Sequence, residues 1–131
     1  PGTYAFEYAP FQDPENLTII STNFGDLGNA HSEYLGTLSE SGLVGLLTFL
    51  SIITAIFYCA IKLYYQTPSE ENDVKLLIMG IIISLSSYFI HSLLNNYLDQ
   101  DKAAVPVWAM AAMIVSMMLA KNSTYKSTKQ G

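Results

Sequence analysis

Three long apolar runs, over residues 43–65, 76–94 and 103–120, decide most of what this chain can become. Each holds about 18 to 23 residues, which as a helix extends roughly 27 to 35 Å and matches a hydrocarbon core of about 30 Å. Only Lys62, near one end of the first run, interrupts any of them with a charge. A water-soluble three-helix bundle needs polar outer faces, and these runs supply too few polar positions to make them. The class expected is therefore all-α integral membrane: a polar loop arm followed by three transmembrane helices.

Composition agrees. Half of the 131 residues are hydrophobic and 13% are charged, against the usual share of about 25% charged. All six positive residues are lysines, the net charge is −5, and nothing resembles a basic surface for nucleic acid. Cys59 is the single cysteine, inside an apolar run, so neither an intrachain disulfide nor a thiolate metal cluster is available.

The polar arm covers residues 1–41. Pro1, Pro10 and Pro14, with Gly2, Gly25 and Gly28, break any sustained period over its first 28 residues, which read mostly as loop with one short strand at Leu17-Thr18-Ile19-Ile20. Tyr4, Phe6, Tyr8 and Phe11 suit either a segment lying on the membrane interface or a loop packed on its own protein. A short helix is expected to start near Asp26 or Asn29, which places His31 in its first turn. On that helix His31 shares a face with Tyr34, Leu35 and Leu38, while Glu33, Thr37 and Glu40 share another. His31 and Glu40 then point apart, so spacing alone supports no His–Glu dyad unless Gly36 or Gly42 breaks the helix. The chain opens on Pro1 with no signal-peptide pattern, and the expectation is that upstream sequence precedes it.

Orientation follows from the lysines, which stay on the cytoplasmic side. Lys62 and Lys75 flank the first connection and Lys121, Lys126 and Lys129 follow the last run, with only Lys102 on the other side, whereas residues 1–41 carry six acids and no lysine. The arm with His31 is thus outside and the C-terminus cytoplasmic. Residues 121–131 have few apolar side chains and are expected to form a disordered tail.

Two spans carry further signals. In the second, Ser84, Tyr88, His91, Asn95 and Asp99 recur at steps of three and four, one helical face that should look into a bundle or cavity, or simply bond helices together. In the third, Pro106 is expected in the first turn, Trp108 in the interfacial belt, and Ala112, Ser116 and Ala120 form a small-residue ridge for close packing.

Two histidines far apart in sequence do not make a protein-held metal site, and there is no nucleophile elbow or P-loop. What remains is an imidazole at the outer membrane surface, able near neutral pH to take a proton from a hydroxyl or to carry charge beside a phosphate. Capping or packing at the interface is the plainer role for it.

The run His31-Ser32-Glu33-Tyr34-Leu35, followed by Glu40-Ser41-Gly42-Leu43-Val44-Gly45 leading into a membrane helix, resembles the end of the large periplasmic loop in the O-antigen ligase and O-antigen polymerase family. Pro1-Gly2-Thr3-Tyr4-Ala5-Phe6 is similar to the Gly-rich, aromatic opening of that loop. The resemblance spans residues 1–120 as the last third of a family member. It implies a glycosyl transfer enzyme of the bacterial inner membrane, moving a glycan from undecaprenyl diphosphate to an acceptor hydroxyl, such as that of lipid A-core, at the periplasmic face. It implies no cofactor and no metal. His31 matches the functionally important loop histidine, as base or as diphosphate ligand, and Glu40, Gly42 and Gly45 match the second half of the motif. Ser32 stands where many members have Asn. Tyr34 is placed to contact sugar or lipid, with packing the plainer role, and His91 lies on the same side as His31. The chain has no arginine, whereas the family's diphosphate site uses arginines, so the resemblance implies that these lie upstream.

Ligase, repeat-unit polymerase and protein O-glycosylating relatives share this motif. From other classes, a transporter or channel subunit would use the Ser84 to Asp99 face as a path, and a non-catalytic assembly module would use the Ala112 to Ala120 ridge.

Overall fold

The computed structural model describes residues 32–95, 98 and 101–130, with residues 11, 13 and 15 in the arm; side chains of the last helix are described over 102–123. Three helices account for nearly all of this: α1 (Glu33–Gln66), α2 (Asn72–His91) and α3 (Asp101–Gln130). All three pairs are in contact, so they form a bundle in which α1 and α3 both run antiparallel to α2. The strand expected at residues 17–20 lies outside the described residues.

The seam is built from the helical repeat. Ile56, Ala60 and Leu63 of α1, Ile78, Ile81, Leu85 and Phe89 of α2, and Val107, Ala111 and Ile114 of α3 recur at steps of three and four and are buried together. The opposite faces are apolar too. Leu43, Val44, Leu47, Ile83, Ile90, Val105 and Leu119 are among many large apolar side chains left exposed, far more than a water-soluble surface carries. Each helix is long and apolar enough to cross a membrane, and hydroxyls on them return to the preceding turn: Thr48 to Val44 O, Ser51 to Leu47 O, Thr54 to Leu50 O and Ser86 to Ile82 O, at 2.7–2.8 Å. Such bonds satisfy donors that lipid cannot. Among the described residues the structure is all-α, and its three spanning helices make this a multi-pass membrane protein.

Helix ends bear on the sequence expectation in three places. α1 begins at Glu33, with Ser32 as its N-cap in extended backbone (φ −156°, ψ 130°); the start expected near Asp26 or Asn29, and the turn expected to hold His31, lie outside the described residues. α3 begins at Asp101, which moves Pro106 from the first turn into the second, where it denies the Lys102 carbonyl its usual donor. α3 also runs on to Gln130 through the segment expected as a disordered tail. No proline or glycine interrupts residues 107–130, and Lys121, Lys126 and Lys129 suit the negative end of a helix dipole.

Candidate functional site: the fold-back arm

α1 is two helical pieces. At Gly42 the backbone turns to φ 67°, ψ −169°, a region open essentially to glycine alone. The consequence is read from three distances. Residues 34 and 49 would stand roughly 22 Å apart along a straight helix, yet the Tyr34 and Phe49 rings meet edge to face at 5.7 Å. A Cβ placed on Gly45 would fall 2.2 Å from Ser41 Cβ and 3.6 Å from Thr37 O. The piece 33–41 therefore doubles back along the first turns of the long piece, and Gly45 is where the two approach too closely for any side chain. The sequence Gly42-Leu43-Val44-Gly45 thus supplies both requirements of the bend: one residue for its backbone, one for its clearance.

The base of this arm is locked into the far end of α2. Glu33 N–H donates to Ser92 O (3.0 Å) and Asn95 O (3.2 Å), and Leu35 N–H donates to the Ser32 hydroxyl at 3.3 Å. Tyr34 hydroxyl donates to Phe89 O at 3.0 Å, as does Ser92 hydroxyl at 2.8 Å. Free N–H groups at the start of one helix thereby meet free carbonyls at the end of another, with helix dipoles favourably opposed. Beneath them Phe49, Phe57, Tyr88 and Phe89 pack edge to face, with ring centroids 5.2–6.5 Å apart.

Glu33 is the residue that sequence reasoning missed. Its side chain is buried, at 8% exposure, and its Oε1 accepts from Leu98 N–H and, at 3.4 Å, from Tyr88 hydroxyl. A buried carboxylate is tolerable only when hydrogen-bonded, and here it ties the α2–α3 connection to the arm. The available signal was its position: an acid directly after an N-cap serine, where a helix N-terminus favours negative charge.

The residues expected to form the site are distributed as follows. His31 lies outside the described residues, as does Asp99. Ser32 is buried and engaged as the N-cap. Tyr34 is half-buried in the aromatic cluster, its hydroxyl spent on Phe89 O. Glu40 is half-buried near the tip of the arm, roughly 10 Å along the helix from Glu33. The break at Gly42 comes after Glu40, so it leaves the arm's own helical phase intact. His91 is exposed at the last position of α2, its carbonyl bonded by Leu94 N–H and Asn95 Nδ2. Ser32 and Tyr34 are thus brought to the end of α2 where His91 stands, while Glu40 is held away from them. The stripe Ser84, Tyr88, His91, Asn95 splits: Tyr88 turns to Glu33, whereas Ser84 and His91 face outward. Ala112, Ser116 and Ala120 are likewise exposed, because the α3 seam runs through Val107, Ala111 and Ile114. Among the described residues no group of three or more His, Cys, Asp or Glu could hold a metal ion.

No family model matches the chain, and no curated protein or solved structure matches it either. Fold and site together define the class already stated, a multi-pass helical membrane protein with a hydrogen-bonded arm folded over one end.

Proposed function

We propose that this chain is the C-terminal part of an O-antigen ligase-like glycosyl transfer enzyme, with the arm on the periplasmic side of the bacterial inner membrane. The observation that carries the reading is the coincidence of motif and bend. The glycines of Glu40-Ser41-Gly42-Leu43-Val44-Gly45 are the residues on which the fold-back depends, and the arm they create leads directly back to Ser32 and His31. On this reading the glycan arrives on undecaprenyl diphosphate, the acceptor is a hydroxyl of lipid A-core or a related molecule, and His31 takes the acceptor proton or pairs with the diphosphate. Glu40 orients a partner, and the arginines that hold the diphosphate belong to another part of the polypeptide. Repeat-unit polymerase and protein O-glycosylation use the same chemistry and are variants of this proposal.

Two features support the orientation. Lys62, Lys75 and Lys121 gather at the end away from the arm, where Lys121 Nζ bonds Gln66 O and Lys75 lies over the Tyr64 ring, as expected of a cytoplasmic end. Phe49 and Gln66 are separated by roughly 25 Å of helix, as are Asn72 and Phe89, so the arm stands near the edge of a hydrocarbon core of about 30 Å. The outward direction of Ser84 and His91 does not favour a polar path enclosed by these three helices.

The test is His31→Ala in the complete protein, read as the glycan ladder of lipopolysaccharide or glycoprotein on a gel beside a membrane-abundance control. Loss of the ladder at normal abundance is expected; an unchanged ladder would overturn the proposal.

A further inference from the structure

The lysine end carries a groove that glycosyl transfer does not use. It lies between α1 and α2, encloses about 250 Å³, and is lined by Ile61, Tyr64, Tyr65, Met79 and Ile82. Ile61, Tyr65 and Met79 are all exposed, so the groove opens sideways, toward lipid. Lys75, Met79 and Ile82 follow at steps of four and three on one face of α2, and Glu71, the N-cap, lies one turn before them, its carbonyl accepting from Lys75 N–H at 3.1 Å. From the wet end inward that face reads carboxylate, ammonium, thioether, aliphatic. Lys75 Nζ is held 5.3 Å from the centre of the Tyr64 ring, which is itself a wall of the groove, so the ammonium stands at its mouth.

We propose that this groove seats an acyl chain of a phospholipid with an ethanolamine headgroup, Lys75 pairing with the phosphate and Glu71 with the headgroup ammonium. The order of charges along the stripe complements that zwitterion: an anion outermost for the terminal cation, a cation one turn deeper for the phosphate, then apolar surface for the chain. An anionic glycerol headgroup offers Glu71 hydroxyls but no cation, and its net negative charge meets like charge from Glu70, Glu71 and Asp73, all exposed at this end. A choline headgroup carries charge but no N–H to donate to the carboxylate. Tyr64 and Tyr65 at the mouth suit the headgroup level of a bilayer. The inference is independent of the transfer reaction and of which leaflet the lysine end faces.

The experiment is native mass spectrometry of the protein in detergent with equal amounts of phosphatidylethanolamine, phosphatidylglycerol and phosphatidylcholine. Ethanolamine adducts are expected to exceed each of the others by about threefold, the scale of one or two exposed ionic contacts. Glu71→Gln with Lys75→Gln should bring the three lipids to parity, and Met79→Trp, which fills the groove, should lower all adducts. Ile61→Trp repeats the filling from α1, and circular dichroism establishes that each variant is folded. Phosphatidylglycerol binding as well as or better than phosphatidylethanolamine, or folded variants that keep the original preference and occupancy, would overturn the proposal.

Discussion

The two ends of the bundle are held by different chemistry. At the arm end nearly every contact is directional: Glu33, Tyr34, Ser32 and Ser92 join backbone groups of three segments through hydrogen bonds, and Gly42 and Gly45 permit one path for the chain. At the lysine end Thr67 caps α1 by bonding Leu63 O with both its N–H and its hydroxyl, and the long lysine side chains make further contacts, Lys121 Nζ on Gln66 O, Lys62 over the Tyr58 ring and Lys75 over the Tyr64 ring. Contacts of the second kind tolerate displacement, whereas a network of buried polar bonds defines one geometry and loses much when one member is removed. Rigid positioning is what a reacting site needs, and adaptable contact is what a lipid-facing end can use.

That contrast can be broken most severely at the bend. Gly42→Ala forces a side chain into a backbone region costing about 1–3 kcal/mol, and Gly45→Val overpacks the contact with Ser41 by about 1–3 kcal/mol or more. Either should release the arm. A cysteine pair replacing Tyr34 and Phe49, in a Cys59→Ser background, reports this directly: crosslinking with a short bifunctional reagent is expected with both glycines present and should be lost in either variant. Strong crosslinking in the Gly45→Val chain would show that the bend does not need the clearance.

Next in size is Glu33→Ala. It removes an acceptor of Leu98 N–H and of the Tyr88 hydroxyl in a half-buried place and should cost about 1–3 kcal/mol in a reversible detergent unfolding assay, with Glu33→Gln losing less because an acceptor oxygen remains. Tyr34→Phe keeps the ring against Phe49 and removes one bond to Phe89 O, which Ser92 still serves, so a loss of about 0.5–1.5 kcal/mol is the ceiling. The smallest change belongs to the other end: Lys62→Ala should shift stability by no more than about 0.5 kcal/mol. A larger effect there than for Tyr34→Phe would reverse the comparison.

What could be read from the sequence follows the same division. The three spans were legible because about 20 apolar residues in a row leave few alternatives. The bend was legible only as an option. Gly36 and Gly42 both offered a break, but a lone glycine is commonly tolerated within a helix, so nothing in the spacing chose Gly42 or gave the break a direction. Glu40 is singled out by the resemblance alone, and Glu33 escapes because a carboxylate's hydrogen-bond donors, here from α2 and the segment after it, are invisible to local spacing. The face running from Ser84 to His91 was expected to point inward because it is polar, but the seam went to Ile78, Ile81, Leu85 and Phe89, whose buried area outweighs a few hydroxyls that can bond their own helix.

The partners of the arm also set an order of events during synthesis. Glu33 leaves the ribosome 65 residues before Leu98, its backbone partner, a lag of roughly 3–13 s at typical elongation rates of about 5–20 residues per second. Until α2 is complete and the segment after it has emerged, the first turn of the arm has only the Ser32 hydroxyl to cap it. The bend at Gly42 therefore belongs to the finished molecule, and the nascent chain must hold its first span in place without it.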